Sequence, residues 1–130
     1  MLKPIATPKA PKPFSNYSLG IEVDPGARYV FVAGQVGATA AGDIPADPSM
    51  QHELAWENVL AILAAAGMDH RNIVDAHAYI TDRAHIALYR ETRDRMLKGH
   101  RPAATLLVVS GLADPKLVME VSVVAAGSAT

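Results

Sequence analysis

Positions 100–126 constrain the fold more than any other stretch. Two apolar, β-rich runs, 102–109 and 117–126, flank the breaker sequence Gly111-Leu112-Ala113-Asp114-Pro115. That pattern predicts two strands joined by a Gly/Pro turn. One acid, Glu120, stands inside the second run among Leu117, Val118, Met119, Val121, Val123 and Val124. Burying an unpaired carboxylate is costly. Glu120 therefore either meets water on a wet strand face or serves chemistry.

With 130 residues, half of them apolar and 19% charged, the chain predicts one folded domain over 1–130. Residues 1–13, carrying Pro4, Pro8, Pro11 and Pro13, read as an extended proline-rich arm. The formal net charge is −1, with no lysine or arginine cluster to track a phosphate backbone, so nucleic acid is not an expected partner. The absence of cysteine removes disulfides, a thiol nucleophile and thiolate metal ligands, and fits a reducing compartment. The N-terminus lacks the apolar core of a signal peptide, and no apolar run approaches the roughly 18 residues of a membrane span. A cytoplasmic protein without a membrane partner is expected.

Residues 17–23 read as a first strand closed by Asp24-Pro25-Gly26, and 28–33 as a second strand pairing with it in a hairpin. Gly34-Gln35-Val36-Gly37 can begin a third short strand, its two glycines marking a bulge or a close approach of backbone to ligand. Asp47-Pro48 starts a helix whose apolar positions are Met50, Leu54, Val59, Ile62, Leu63 and Ala66, stopped by Gly67. Residues 72–80 form a strand, with Ile73, Asp75, His77 and Tyr79 on one face and Val74, Ala76, Ala78 and Ile80 on the other. Thr81-Asp82 caps a second helix reaching about Lys98, its outward face carrying Arg83, Arg90, Glu91 and Asp94. The order ββ(β)αβαββ predicts an α+β fold with two helices on one sheet face. The other face is left bare and apolar, which favours self-association in a closed ring.

The five histidines, His52, His70, His77, His85 and His100, lack metal-ligand spacing. Ser15, Ser18 and Ser110 lack a nucleophile elbow, and the glycines around Gly34 lack phosphate-loop spacing. Tyr17 reads as a core aromatic or as a polar handle at a cleft, with the core role favoured.

Several short motifs, in order, resemble the RidA/YjgF family (reactive intermediate deaminases, also called L-PSP endoribonucleases). They are Asn16-Tyr17-Ser18, Val32-Ala33-Gly34-Gln35, the helix from Asn58-Val59 to Ala66-Gly67, Thr81-Asp82, Tyr89, and Pro102-Ala103 leading to Glu120. The resemblance implies a chorismate-mutase-like fold, a mixed β-sheet with two helices on one face, and a homotrimer with clefts between subunits. It implies no metal and no cofactor. In deaminating relatives an arginine grips the carboxylate of an imino acid while a glutamate positions the attacking water. By that likeness Glu120 is the catalytic candidate, and Tyr17, Ala33, Gly34, Ala104 and Leu106 line the substrate site.

The departures lie in the same positions. The family's arginine is Ala104, a frequent cysteine is Leu106, and the serine before Gly-Gln is Ala33. Arginine suits a carboxylate because its planar fork binds two oxygens at once. Its absence implies that Glu120 acts as an acid/base or hydrogen-bonding group for a ligand less anionic than an amino-acid-derived imine. Arg101 is the only nearby replacement in sequence, on a different strand face before Pro102. The expected function is small-metabolite chemistry resembling enamine or imine hydrolysis. A non-catalytic metabolite-binding or regulatory trimer is the alternative, and a ribonuclease, as in the family label, a third.

Overall fold

The computed structural model describes residues 2–129; Met1 of the expected arm lies outside them. The elements are β1 Leu2–Ile5, β2 Gly20–Val23, β3 Arg28–Val36, α1 Pro48–Ala65, β4 Ile73–Ile80, α2 Ile86–Met96, β5 Ala103–Val108 and β6 Met119–Gly127. A four-stranded sheet runs β3-β6-β4-β5, and β1 and β2 form a separate antiparallel pair. The sheet is mixed: β4 and β5 are parallel, whereas β6 is antiparallel to both β3 and β4.

Two pairings differ from the sequence expectation. The hairpin between 17–23 and 28–33 does not form, although Asp24-Pro25-Gly26 does turn, with the Ala27 amide donating to the Asp24 carbonyl. Four-residue β2 pairs with the arm strand β1, while nine-residue β3 takes nine-residue β6, which offers the longer ladder. The arm is thus extended over Leu2–Ile5 and turns after it, the Ala10 amide donating to Thr7. Likewise β5 and β6, consecutive in sequence, are not neighbours, because β6 inserts between β3 and β4. The third strand at 34–37 is the end of β3, and the bulge is present. Val32 opposes Val123 and Gln35 opposes Val121, so Ala33 and Gly34 face the single residue Ser122.

Asp47 caps α1 by accepting from the Ser49 amide, with Pro48 in the first turn. Its buried face is Gln51, His52, Ala55, Trp56, Val59 and Leu63, whereas the expected apolar positions Met50 and Ile62 are exposed. The buried stripe therefore turns partly polar. Gln51 explains one of these polar residues: its Nε2 donates to the Pro45 and Lys116 carbonyls, and its Oε1 accepts from the Val118 amide. Asp82 caps a short 3-10 turn, Arg83–His85, before α2 begins, so the α-helix starts later than its cap suggests.

Both helices cover one sheet face. α1 packs on β3, β6 and α2. The small side of β4 receives them as expected, with Ala76, Ala78 and Ile80 buried. A register irregularity between Ile73 and Asp75 turns Ile73 into the core as well. The opposite face carries Phe31 at 77% exposure, Leu107 at 50% and Tyr29 at 49%. Among the described residues no helix is long and apolar enough to cross a membrane.

Candidate functional site

Strand register divides the six candidate residues into two groups. Glu120 pairs with Val36 on one side and Tyr79 on the other, and Tyr79 pairs with Leu107. Side chains of paired residues share a face, so Glu120 stands on the open face of the sheet. Ala104 pairs with Ala76 and Leu106 with Ala78, which places both on the helix-covered face. A single chain therefore does not bring Ala104 and Glu120 into one cavity.

The first group forms around the β3 bulge. Ala33 and Gly34 are exposed, and the Glu120 side chain lies across Gly34. A Cβ at Gly34 would collide with Glu120 Oε2 and sit 2.9 Å from its carboxyl carbon. Only a residue without a side chain permits this approach. Among the described residues no hydrogen bond or ion pair engages the Glu120 carboxylate. It is half-buried, flanked by backbone of the bulge, and available to a ligand.

The second group forms where the arm meets the edge strand. The Ser18 amide donates to the Pro102 carbonyl, and Ser18 makes an isolated parallel bridge to Ala103. This tether sets half-buried Tyr17 beside β5, its hydroxyl accepting from the Phe14 amide at 3.2 Å. Tyr17, Ala104 and Leu106 line a pocket of about 160 Å³. Tyr17 belongs to this cleft and not to the core that the residue pattern favoured. Arg101 lines a different and larger cavity, about 930 Å³, enclosed by the arm.

Sequence reasoning missed the third wall of the small pocket, which is α2. Tyr89, Arg90 and Arg93 line it. Arg93 is 3% exposed, and its Nε donates to Asp94 Oδ1 at 3.0 Å. Asp94 is held in turn by Asn16, whose Nδ2 donates to Oδ2 at 2.8 Å. Arg93 Nη2 also lies 3.0 Å from Asp94 Oδ1 but completes no hydrogen bond. The Tyr89 hydroxyl is buried beside Arg93, and burial pushes its phenol up to about 12 against the pull of Arg93. The signal lay in helical spacing: Arg93 falls four residues from both Tyr89 and Leu97, on the inward stripe of α2.

Among the described residues, no three histidine, aspartate or glutamate side chains gather as metal ligands. His77 Nε2 lies 2.8 Å from Asp75 Oδ2, an exposed pair on the open face.

The chain resembles known proteins over nearly its whole length. The profile of the family described as Endoribonuclease L-PSP matches residues 7–127. The 2-iminobutanoate/2-iminopropanoate deaminase of Mus musculus is 30% identical over 112 residues, covering 85% of this chain and 81% of that protein. The crystal structure of Escherichia coli TdcF with bound serine superposes with a TM-score of 0.73 at 32% identity, covering 97% of this chain and 99% of that one. The Yersinia pestis Rid-family protein YyfB reaches a TM-score of 0.84 at 22% identity, covering 95% and 97% of the two chains, a likeness of fold alone. Motif order, helix placement and sheet topology agree with these matches, and the chain belongs to the Endoribonuclease L-PSP family, the RidA/YjgF superfamily.

Proposed function

We propose that this protein is a cytoplasmic, cofactor-independent hydrolase of small imines or enamines, acting at clefts between the subunits of a homotrimer. The observation that carries the reading is the bare backbone at Gly34 beneath the Glu120 carboxylate. A carboxylate with no partner of its own, next to exposed peptide groups, can hold a water and accept its proton. The names of the mouse deaminase and the serine-bound TdcF support an imine derived from a small amino acid as substrate.

The reaction then needs little from the protein. Water oxygen bonds to the imine carbon while its proton passes to Glu120. Glu120 returns that proton to nitrogen, giving a carbinolamine. The carboxylate then takes the proton of the new hydroxyl and passes it to the amine, and the C–N bond breaks to leave a carbonyl and ammonia. Glu120 is the catalytic residue of this scheme. Ala33 and Gly34 border the reacting carbon, and Tyr17, Ala104 and Leu106 receive the remainder of the substrate.

The placement of the two groups supports self-association. The Glu120 group lies on the open face and the Tyr17–Ala104 group at the β5 edge. In a closed ring, one copy's open face meets its neighbour's edge and joins the groups into one site. The exposed Phe31, Tyr29 and Leu107 supply the apolar surface for that contact.

The test is hydrolysis of 2-iminobutanoate, generated in place and followed by ammonia release. The wild-type protein accelerates it, and Glu120→Gln lowers kcat by about 100-fold or more, the range of a lost general base. An assembled protein that binds the corresponding 2-oxo acid but leaves the imine decay rate unchanged is a binding protein, and the hydrolase reading fails.

A further inference from the structure

The proline-rich arm closes a cavity of about 930 Å³ against β2 and the loop before β5, far larger than the 160 Å³ pocket beside α2. Nothing in the proposed imine chemistry uses it. We propose that this cavity is a second ligand site, and that it takes a bulky organic anion: two or three fused aromatic rings carrying one acidic group. The proposal concerns a different ligand from the small imine and does not rest on the hydrolase reading.

The walls are apolar and stiff. Pro4, Ile5, Pro8, Pro13, Leu19 and Ile21 supply much of them. Proline has no amide hydrogen, so a proline-rich segment can border an apolar space without leaving donors unsatisfied. Its fixed φ also shapes the wall before a ligand arrives, which lowers the ordering cost of binding. The arm is pinned on both sides of the cavity. Leu2–Ile5 pairs with Gly20–Val23, and the Ser18 amide donates to the Pro102 carbonyl. Ile5 remains 46% exposed, and covering such surface is the main gain that an apolar ligand offers. Proline rings and the Tyr17 ring present flat faces, which suit a planar ligand better than a flexible chain. The volume lies toward the upper end of small-molecule sites, roughly 300–1,000 Å³.

Charge sets the sign of the ligand. Lys12 lines the cavity from the arm and Arg101 from the loop before β5, and both are exposed. Among the described residues neither side chain has an ion-pair or hydrogen-bond partner, and no acid lines the cavity. The third basic residue, His100, is committed elsewhere, its Nε2 donating to the Ile73 carbonyl at 2.7 Å. Two uncompensated cations beside an apolar hollow complement one acidic head on an apolar body. Both cation types also pack on aromatic faces, arginine more readily than lysine. Tyr17 lines this cavity and the small pocket alike, so a ligand here touches the wall of the substrate site.

The test is a titration of the full-length protein, in its native assembly, with 2-naphthoate. Calorimetry should show saturable binding with a Kd below about 1 mM, and the methyl signals of Ile5, Leu19 and Ile21 should shift with it. Neutral 2-naphthamide should bind at least tenfold more weakly, and octanoate severalfold more weakly. Lys12→Met and Arg101→Met should each weaken 2-naphthoate severalfold, and the double variant at least tenfold; both positions are exposed, so the fold survives. Equal affinity for the amide, or an unchanged double variant, overturns the proposal. So does the absence of saturable binding, as when a neighbouring copy fills the cavity, or a response confined to Leu106 in the small pocket or Leu107 on the open face. Octanoate binding as tightly as 2-naphthoate overturns the aromatic assignment.

Discussion

The Glu120 carboxylate lies over the α-carbon of Gly34, close enough that Oε2 occupies the space a methyl group would need. The obstructing atom is the end of a flexible side chain, so Gly34→Ala can be accommodated by swinging the carboxylate away. The expected outcome is a stability loss below about 1 kcal/mol, because only a surface rotamer changes. Turnover should fall at least tenfold, since the carboxylate no longer sits above the bulge. Denaturant melts and ammonia release, measured on one preparation, check both; full activity would place the reacting centre elsewhere.

Gly37 presents the opposite case. A Cβ there would collide with the α-carbon, Cβ and carbonyl oxygen of Gln51, which belong to the rigid turn of α1. Gly37→Ala is expected to destabilise by at least about 2 kcal/mol, the scale of overpacking against backbone. Gln51→Leu should cost about 3 kcal/mol, because it leaves the Pro45 and Lys116 carbonyls and the Val118 amide without their partner. Urea titrations of the two variants give the comparison.

His52 makes stability fall on acidification. It is fully buried, neither ring nitrogen has a partner among the described residues, and the His85 ring stands edge-on at 6.2 Å. Burial, reinforced by His85, lowers its pKa to about 4 from 6.5. Between these values the unfolded chain takes up a proton that the folded chain refuses, so stability drops as pH falls from about 6.5 to about 4 and then levels. The loss is about 2–3 kcal/mol. Half-buried His70 is shifted the same way and adds a small part. Chemical denaturation at pH 7 and pH 4.5 should show the difference, and His52→Leu should shrink it; an unchanged slope in that variant refutes the assignment.

The open face tests self-association. Phe31 is 77% exposed and stacks at 6.5 Å on Tyr29. Phe31→Glu should leave the fold intact, because the side chain points away from the core, and should convert the assembly to monomers. Light scattering coupled to gel filtration reads the mass. Imine hydrolysis should fall with the loss of assembly; full activity in a monomer would show that the site needs no neighbour.

The sequence by itself determined the family, the succession of strands and two helices from β2 onward, the α1 cap at Asp47-Pro48 and the helix-facing side of β4. These depend on local chemistry: a capping oxygen, an alternation of small apolar residues. It also marked Glu120, because a lone acid in an apolar strand stands out at once. A bulge at Gly34 was one of two readings, and the arm's pairing as β1 was not foreseen. Strand partners were a different matter, since β3 and β6 meet across most of the chain and the gain from a long ladder outweighs the short connection to β2. Only the tertiary structure decided that Ala104 and Glu120 occupy opposite faces, because face depends on register between β4, β5 and β6. It alone revealed Gln51 and Arg93 as buried, since a polar residue on an inward stripe is stable only where folding delivers it a partner or a pocket.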